Sequence, residues 1–157
     1  MNYYNQIAQG YEELHKEEQL KKINLIKNNI KTNKNDLLLD VGCGTGITTK
    51  FWNCEKIGID PAIKLLKRDS GAVFINGEAE SLPFKDKSFD IVISITAIQN
   101  FNDIEKGLRE IKRVGKDKFI LSALKKSPKI KKISLLINKI FKPKEIIEED
   151  KDLIFIT

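Results

Sequence analysis

Three glycines spaced by single residues, Gly42, Gly44 and Gly46, directly follow the apolar run "LLLDV" (37–41). Bare backbone at that spacing suits a turn against which a ligand must lie closely. The neighbours decide which ligand. A dinucleotide fingerprint, GxGxxG, would put its third glycine at position 47, where the chain has Ile47. A phosphate-cradling P-loop ends in Gly-Lys-Ser/Thr, whereas Thr48 and Thr49 follow here with no lysine before them. Phosphate recognition is therefore poorly supported. Carboxylates flank the turn instead: Asp40 in the first apolar run, and Asp60 ending the run "KIGID" (56–60).

Other reactive side chains are sparse. The two cysteines, Cys43 and Cys54, leave a disulfide open in principle but lack the pattern of a secreted scaffold. A single histidine, His15, and no CxxC give no zinc-ligand spacing, so no metal is expected.

Several stretches together resemble the class I S-adenosylmethionine (SAM)-dependent methyltransferases. "LLLDVGCGTG" resembles that family's first motif and "IGIDPA" its second. "NGEAESLPFKDKSFDIVIS" resembles the stretch through the fourth strand, "LREIKRV" the helix after it, and "YNQIAQGYEEL" the N-terminal helix that lids the cofactor. The resemblance spans roughly residues 3–124. It is nearest to the methyltransferase type 11 subgroup, which includes ubiquinone and menaquinone biosynthesis enzymes, and to many RNA methyltransferase domains. It implies SAM as cofactor, lined by Gly42, Cys43, Gly44, Gly46 and Pro61. Asp40 would hold the ammonium group, directly or through water, and Asp60 would accept both ribose hydroxyls. Glu78 and Ala79 would meet the adenine edge, Ile95 or Thr96 the methionine portion, and Tyr4 and Tyr11 would sit over the pocket. The chemistry agrees, since SAM carries no phosphate and asks for no cation at the turn. Plainer rivals exist: Asp40 and Asp60 as helix-capping acids, Glu78 as a solvent-facing residue, and Tyr4 and Tyr11, seven apart, as core-facing helix positions.

Methyl transfer from a sulfonium needs proximity, orientation and a dry pocket more than a base. The resemblance implies that acceptor recognition falls to the residues after the fourth strand, here 94–103, "SITAIQNFND". Family members often carry a histidine pair where this chain has Gln99 and Asn100. The Asn-Pro-Pro-aromatic signature of amino-group methylation and the Pro-Cys of pyrimidine carbon methylation are both absent. His15 is a tempting base, yet a lone histidine at a helix end is more often solvated. No catalytic residue is assigned, and the acceptor stays open between a small molecule and RNA.

The elements that must position these residues alternate. Helical spacing covers 3–14 and 17–31, and strands are expected at 37–41, 56–60, 72–76, 89–95 and 118–124. A helix is expected at about 103–114, with Ile104, Leu108, Ile111 and Val114 on one face, and another right after the glycines. "EIIEEDKDLIFIT" reads as an antiparallel hairpin. The fold class is α/β: a doubly wound, mostly parallel, Rossmann-like sheet with helices on both faces and a C-terminal hairpin. One domain, 1–157, is expected, made of N-terminal lid helices (1–31), a cofactor-binding core (37–124) and a basic helix with the hairpin (125–157). "RVGKDKFIL" is shorter than the family's usual loop before the fifth strand, which tightens that connection.

Charge is uneven. The net charge is +6, yet residues 125–144 hold eight lysines and no acid, leaving 20 basic against 22 acidic residues elsewhere. In "KIKKISLLINKIF", Ile130, Ile133, Ile137, Ile140 and Phe141 form a stripe, with Lys129, Lys132, Lys139 and Lys142 outside it. That suits a crossover helix, whose lysines could also contact RNA phosphates or an anionic head group. An RNA acceptor would bring a dependence on a partner protein, because no recognition domain is appended. The composition, 41% hydrophobic and 32% charged, is that of a globular chain. The charge-free stretch 91–102 is too short to span a bilayer. With no signal-like start, a cytoplasmic location is expected. Two rivals to a methyltransferase remain. One is a non-catalytic SAM-binding subunit of a larger RNA- or protein-modifying complex. The other is a nicotinamide-dependent oxidoreductase, which Ile47 argues against.

Overall fold

The computed structural model describes the backbone of residues 2–62 and 71–157 and the side chains of 13–62 and 71–157. The chain divides into two units, residues 1–31 and 32–157.

The first unit is one helix, α1 (Asn2–Asn29). The two helices expected at 3–14 and 17–31 are continuous. Residues 15–17, "HKE", hold no proline, glycine or β-branched residue, so nothing there interrupts the i→i−4 ladder. At its end Asn29 donates from Nδ2 to the Leu25 carbonyl (2.9 Å). Among the described residues no helix is long and apolar enough to cross a membrane.

The second unit is built on seven strands: β1 (Leu37–Val41), β2 (Glu55–Asp60), β3 (Val73–Asn76), β4 (Phe89–Ser94), β5 (Gly115–Leu124), β6 (Glu145–Glu148) and β7 (Asp152–Ile156). They lie in the order β3-β2-β1-β4-β5-β7-β6. β7 runs antiparallel to both β5 and β6, so the hairpin folds back to fill the gap between those two strands. All other pairings are parallel. β1 is nearly continuous in buried residues, as a strand covered on both faces must be. The strand order reverses between β1 and β4, which opens a crevice at their carboxyl ends.

Two helices cross between the later strands, α2 (Ile104–Val114) between β4 and β5 and α3 (Ile130–Phe141) between β5 and β6. Right-handed crossovers carry both over one face, and send the β1–β2 connection over the other. α2 starts where Asp103 accepts the Lys106 N–H (3.0 Å), a side-chain cap, and ends with Lys112 and Arg113 on its dipole's negative end. It buries the expected Ile104, Leu108, Ile111 and Val114. α3 buries Ile133, Leu136, Ile137 and Phe141, with Phe119 and Phe141 edge to face at 5.0 Å. Each large apolar side chain so buried contributes about 1.5–3 kcal/mol. Ile130 and Ile140 are half-buried at the rim, and Lys131, Lys132, Lys139 and Lys142 point outward.

Two boundaries differ from expectation. β5 begins at Gly115, directly after α2, with a register irregularity against β4 between Phe89 and Ile91. The shortened "RVGKD" leaves no loop at all. The helix expected after the glycines is only a 3-10 turn, Thr49–Phe51. The glycine turn uses five of the thirteen residues joining β1 to β2, and the rest must still return to the start of β2.

Candidate functional site

The glycine turn is tied across the sheet before any ligand is considered. The Gly42 and Cys43 N–H groups both donate to the Ile59 carbonyl (2.8 and 3.2 Å), and Gly46 N–H donates to Cys43 O (2.9 Å). All three glycines have positive φ, at 74°, 55° and 79°. A Cβ on Gly42 would lie 2.5 Å from the Ala97 Cβ, so the loop after β4 rests on the bare face of this residue. Gly44 differs. Among the described residues other than its chain neighbours, no atom lies within 4 Å of the place its Cβ would take, although its N–H donates to Asp60 Oδ2 (2.9 Å). That is open space beside fixed backbone, which fits a nucleoside laid along the turn.

Asp60, buried at the tip of β2, accepts the Ala62 N–H on its other oxygen (2.7 Å). The capping rival is thus present in the geometry. Each carboxylate oxygen still has a second lone pair for a ribose hydroxyl. Asp40 is buried too, with 1% of its surface exposed. Its Oδ2 accepts both Thr48 Oγ1 (2.9 Å) and Thr49 Oγ1 (2.7 Å). Its Oδ1 is buried with no hydrogen-bond partner among the described residues. Burial pushes the carboxyl up from 3.8 to about 6, against the two threonine hydroxyls that pull it down, and the nearby Asp60 charge adds to the rise. A buried oxygen lacking a donor fits an ammonium or a bridging water, so the residues present suit SAM.

Sequence reasoning noted Thr48 and Thr49 only for the lysine they lack. Their signal is two adjacent hydroxyls just after the glycine turn, eight and nine residues beyond a strand acid. Cys43 is buried, and burial pushes its thiol up from the ordinary range; both cysteines are free. Cys43 packs beside Gly58, whose added Cβ would meet its Sγ at 2.8 Å. Pro61 is exposed, and its carbonyl accepts from Asn76 Nδ2 (3.4 Å).

The loop carrying Glu78 and Ala79 is fastened to α2. Glu80 Oε1 accepts the Asp103 N–H (3.0 Å) and Glu110 Oε2 accepts the Leu82 N–H (2.9 Å). Arg113 donates to the carbonyls of Leu82 (3.0 Å) and Phe84 (2.8 Å) while gripping Glu110 through two nitrogens. Its guanidinium hydrogen bond holds the Glu110 carboxyl below its usual range. Glu80, Glu110 and Arg113 were not foreseen; an acid and an arginine three apart on one helix were the available signal. Ala79 is buried and Glu78 is exposed.

After β4, Ile95 is buried and Thr96 is half-buried with φ 55°. A 3-10 turn, Ile98–Asn100, carries Gln99 and Asn100, and Gln99 Nε2 donates to Thr96 O (2.8 Å). His15 is exposed on α1. Tyr4 and Tyr11 lie outside the described side chains. The structure therefore gathers Gly42, Cys43, Gly44, Gly46 and Asp60 at the tips of β1 and β2, links Asp40 to the residues after the turn through Thr48 and Thr49, and brings the Thr96 loop onto Gly42. No hydrogen bond or ion pair joins Glu78 to that group among the described residues.

Residues 39–121 match the family model described as a methyltransferase domain. The chain belongs to the methyltransferase domain family. It is a domain of the SAM-dependent class on a Rossmann-like sheet. It is similar to an uncharacterized protein of Methanocaldococcus jannaschii, 36% identical over 120 residues that make up 73% of this chain and 47% of that one. It is also similar to a demethylmenaquinone methyltransferase of Thermotoga maritima, 37% identical over 100 residues, 58% of this chain and 44% of the enzyme. The chain spans about half the length of the curated relatives it matches. A crystal structure of a Pyrococcus horikoshii protein shares the fold with a TM-score of 0.73, at 22% identity, over 88% of this chain and 87% of that one.

Proposed function

We propose that this protein transfers a methyl group from SAM to an acceptor held beside the loop after β4. The observation that carries the reading is Gly44: its amide is pinned to Asp60 while, among the described residues, no side chain crowds the space beside it. When bound, SAM supplies the activated methyl group on its sulfonium. The chain's own residues bind and orient. Asp60 accepts the ribose hydroxyls with the lone pairs its two amide bonds leave free, and Asp40 Oδ1 takes the ammonium, directly or through water. Cys43 and Pro61 border the same turn, and Ala79 with Glu78 offers the adenine edge on a loop held rigid by Arg113 and Glu110. Ile95 and Thr96 stand at the methionine portion. Binding to the folded state raises its melting temperature by mass action. A thermal-shift comparison should show stabilisation by SAM and by S-adenosylhomocysteine and none by NAD; the reverse pattern overturns the reading.

One observation favours RNA over a small molecule as acceptor. Lys129, at the start of α3, reaches the acceptor loop, donating from Nζ to Gln99 O (3.1 Å), and so joins the outward lysine row to that loop. Binding to bulk tRNA should weaken steeply as salt rises. No binding at low salt favours a small molecule.

A further inference from the structure

We infer that Asp152, which lies in the terminal hairpin beyond the matched family region, is a positioning residue for the cofactor turn, acting through Thr96 and Ala97. The inference rests on the SAM reading of the glycine turn. Asp152 opens β7 and is fully buried. Its Oδ2 accepts Thr96 Oγ1 (2.7 Å) and Ser122 Oγ (2.8 Å). Ser122 in turn accepts the Thr96 N–H (2.8 Å). Three strand tips, those of β4, β5 and β7, are thereby closed onto one residue.

That residue is held where threonine resists going. Thr96 has φ 55°, a left-handed conformation that a β-branched side chain disfavours and that persists only when its surroundings over-determine it. The hydroxyl on Asp152, the amide on Ser122 and the carbonyl on Gln99 Nε2 supply that determination. The consequence is felt one residue on. Ala97 is delivered onto Gly42, so closely that any Cβ there would overlap it. The hairpin therefore sets the height of the wall against which the cofactor turn is built. Without Asp152, the Ser122 and Thr96 hydroxyls lose this acceptor, Thr96 relaxes toward negative φ and Ala97 withdraws from Gly42.

Glycine at position 96 adopts positive φ without help, and this gives the test its discrimination. Asp152→Ala, Thr96→Gly and the double variant would be compared by calorimetric titration with S-adenosylhomocysteine. Amide hydrogen exchange of residues 94–101 would be followed without ligand. Asp152→Ala should weaken binding by about tenfold and speed exchange at Thr96 and Ala97, while residues 37–41 stay protected. The double variant is read against Thr96→Gly alone: Asp152→Ala should cost no more than about twofold in the Thr96→Gly background, against about tenfold in the wild-type background. A purely structural role would not be rescued by Thr96→Gly. Should Asp152→Ala fail to fold, Ser122→Ala carries the same expectations on a smaller scale. Wild-type affinity with unchanged exchange in Asp152→Ala, or no rescue in the double variant, overturns the inference. Failure of the wild type to bind S-adenosylhomocysteine overturns the cofactor reading and this role with it, and the ligand-free exchange data report on the lock separately.

Discussion

Two buried aspartates, on β1 and β7, lie on opposite sides of the point where the strand order reverses, and each gathers two hydroxyl groups on its Oδ2. Asp40 takes Thr48 and Thr49, eight and nine residues along the chain. Asp152 takes Ser122 and Thr96, thirty and fifty-six residues away. The first closes a local turn and leaves an oxygen with no donor among the described residues. The second closes three strands around a strained threonine. The difference teaches where binding and support are divided: the local cluster holds the surface offered to a ligand, and the long-range cluster holds the wall behind it.

The comparison breaks soonest at Asp60, the acid on the ligand-facing side. Asp60→Ala should cost about two orders of magnitude in SAM affinity, measured by calorimetry, because a buried carboxylate accepting hydroxyls is lost. The melting temperature of the free protein should fall by only a few degrees, since the Gly44 and Ala62 amides lose one acceptor. Unchanged affinity would mean that Asp60 serves the turn alone.

Asp40 separates binding from stability through pH. Its folded pKa, about 6, lies above the ordinary 3.8, so the folded state holds this proton more tightly than the unfolded one. This group's stabilising effect is complete below pH 3.8 and is lost as pH rises through about 6. Asp40→Asn, which cannot ionise, should therefore melt higher than wild type at pH 8, and the gap should shrink toward pH 4. Cofactor binding has the opposite sign, because the ammonium needs the carboxylate. Affinity for S-adenosylhomocysteine should fall as pH drops below about 6 in wild type and stay flat, and weaker, in Asp40→Asn. A pH-independent wild type would remove Asp40 from the ligand.

The smallest effect belongs to the threonines. Thr49→Val removes one hydroxyl that lowers the Asp40 pKa, so the midpoint of the pH dependence of binding should move upward. A downward shift would contradict the hydrogen-bond assignment.

The same division explains what the sequence made legible. The glycine turn, both strand-end acids and the α2 stripe are written in contiguous or periodic residues, and each falls where expected. Periodicity also placed α3, with Leu136 joining its stripe. The 3-10 turn at Thr49–Phe51 was missed because a glycine motif signals the turn and not the length of the helix after it. The insertion of β7 between β5 and β6 and the Asp152 lock depend on pairings across thirty or more residues, which no local pattern records. The Arg113 clamp escaped for the same reason: its two carbonyl partners lie in a loop about thirty residues upstream.

A crystal structure of the S-adenosylhomocysteine complex tests the central claim most directly. The account predicts the nucleoside against Gly44, with both ribose hydroxyls within hydrogen-bond distance of Asp60. A ligand seated elsewhere, or density absent from this crevice at saturating concentration, would contradict it.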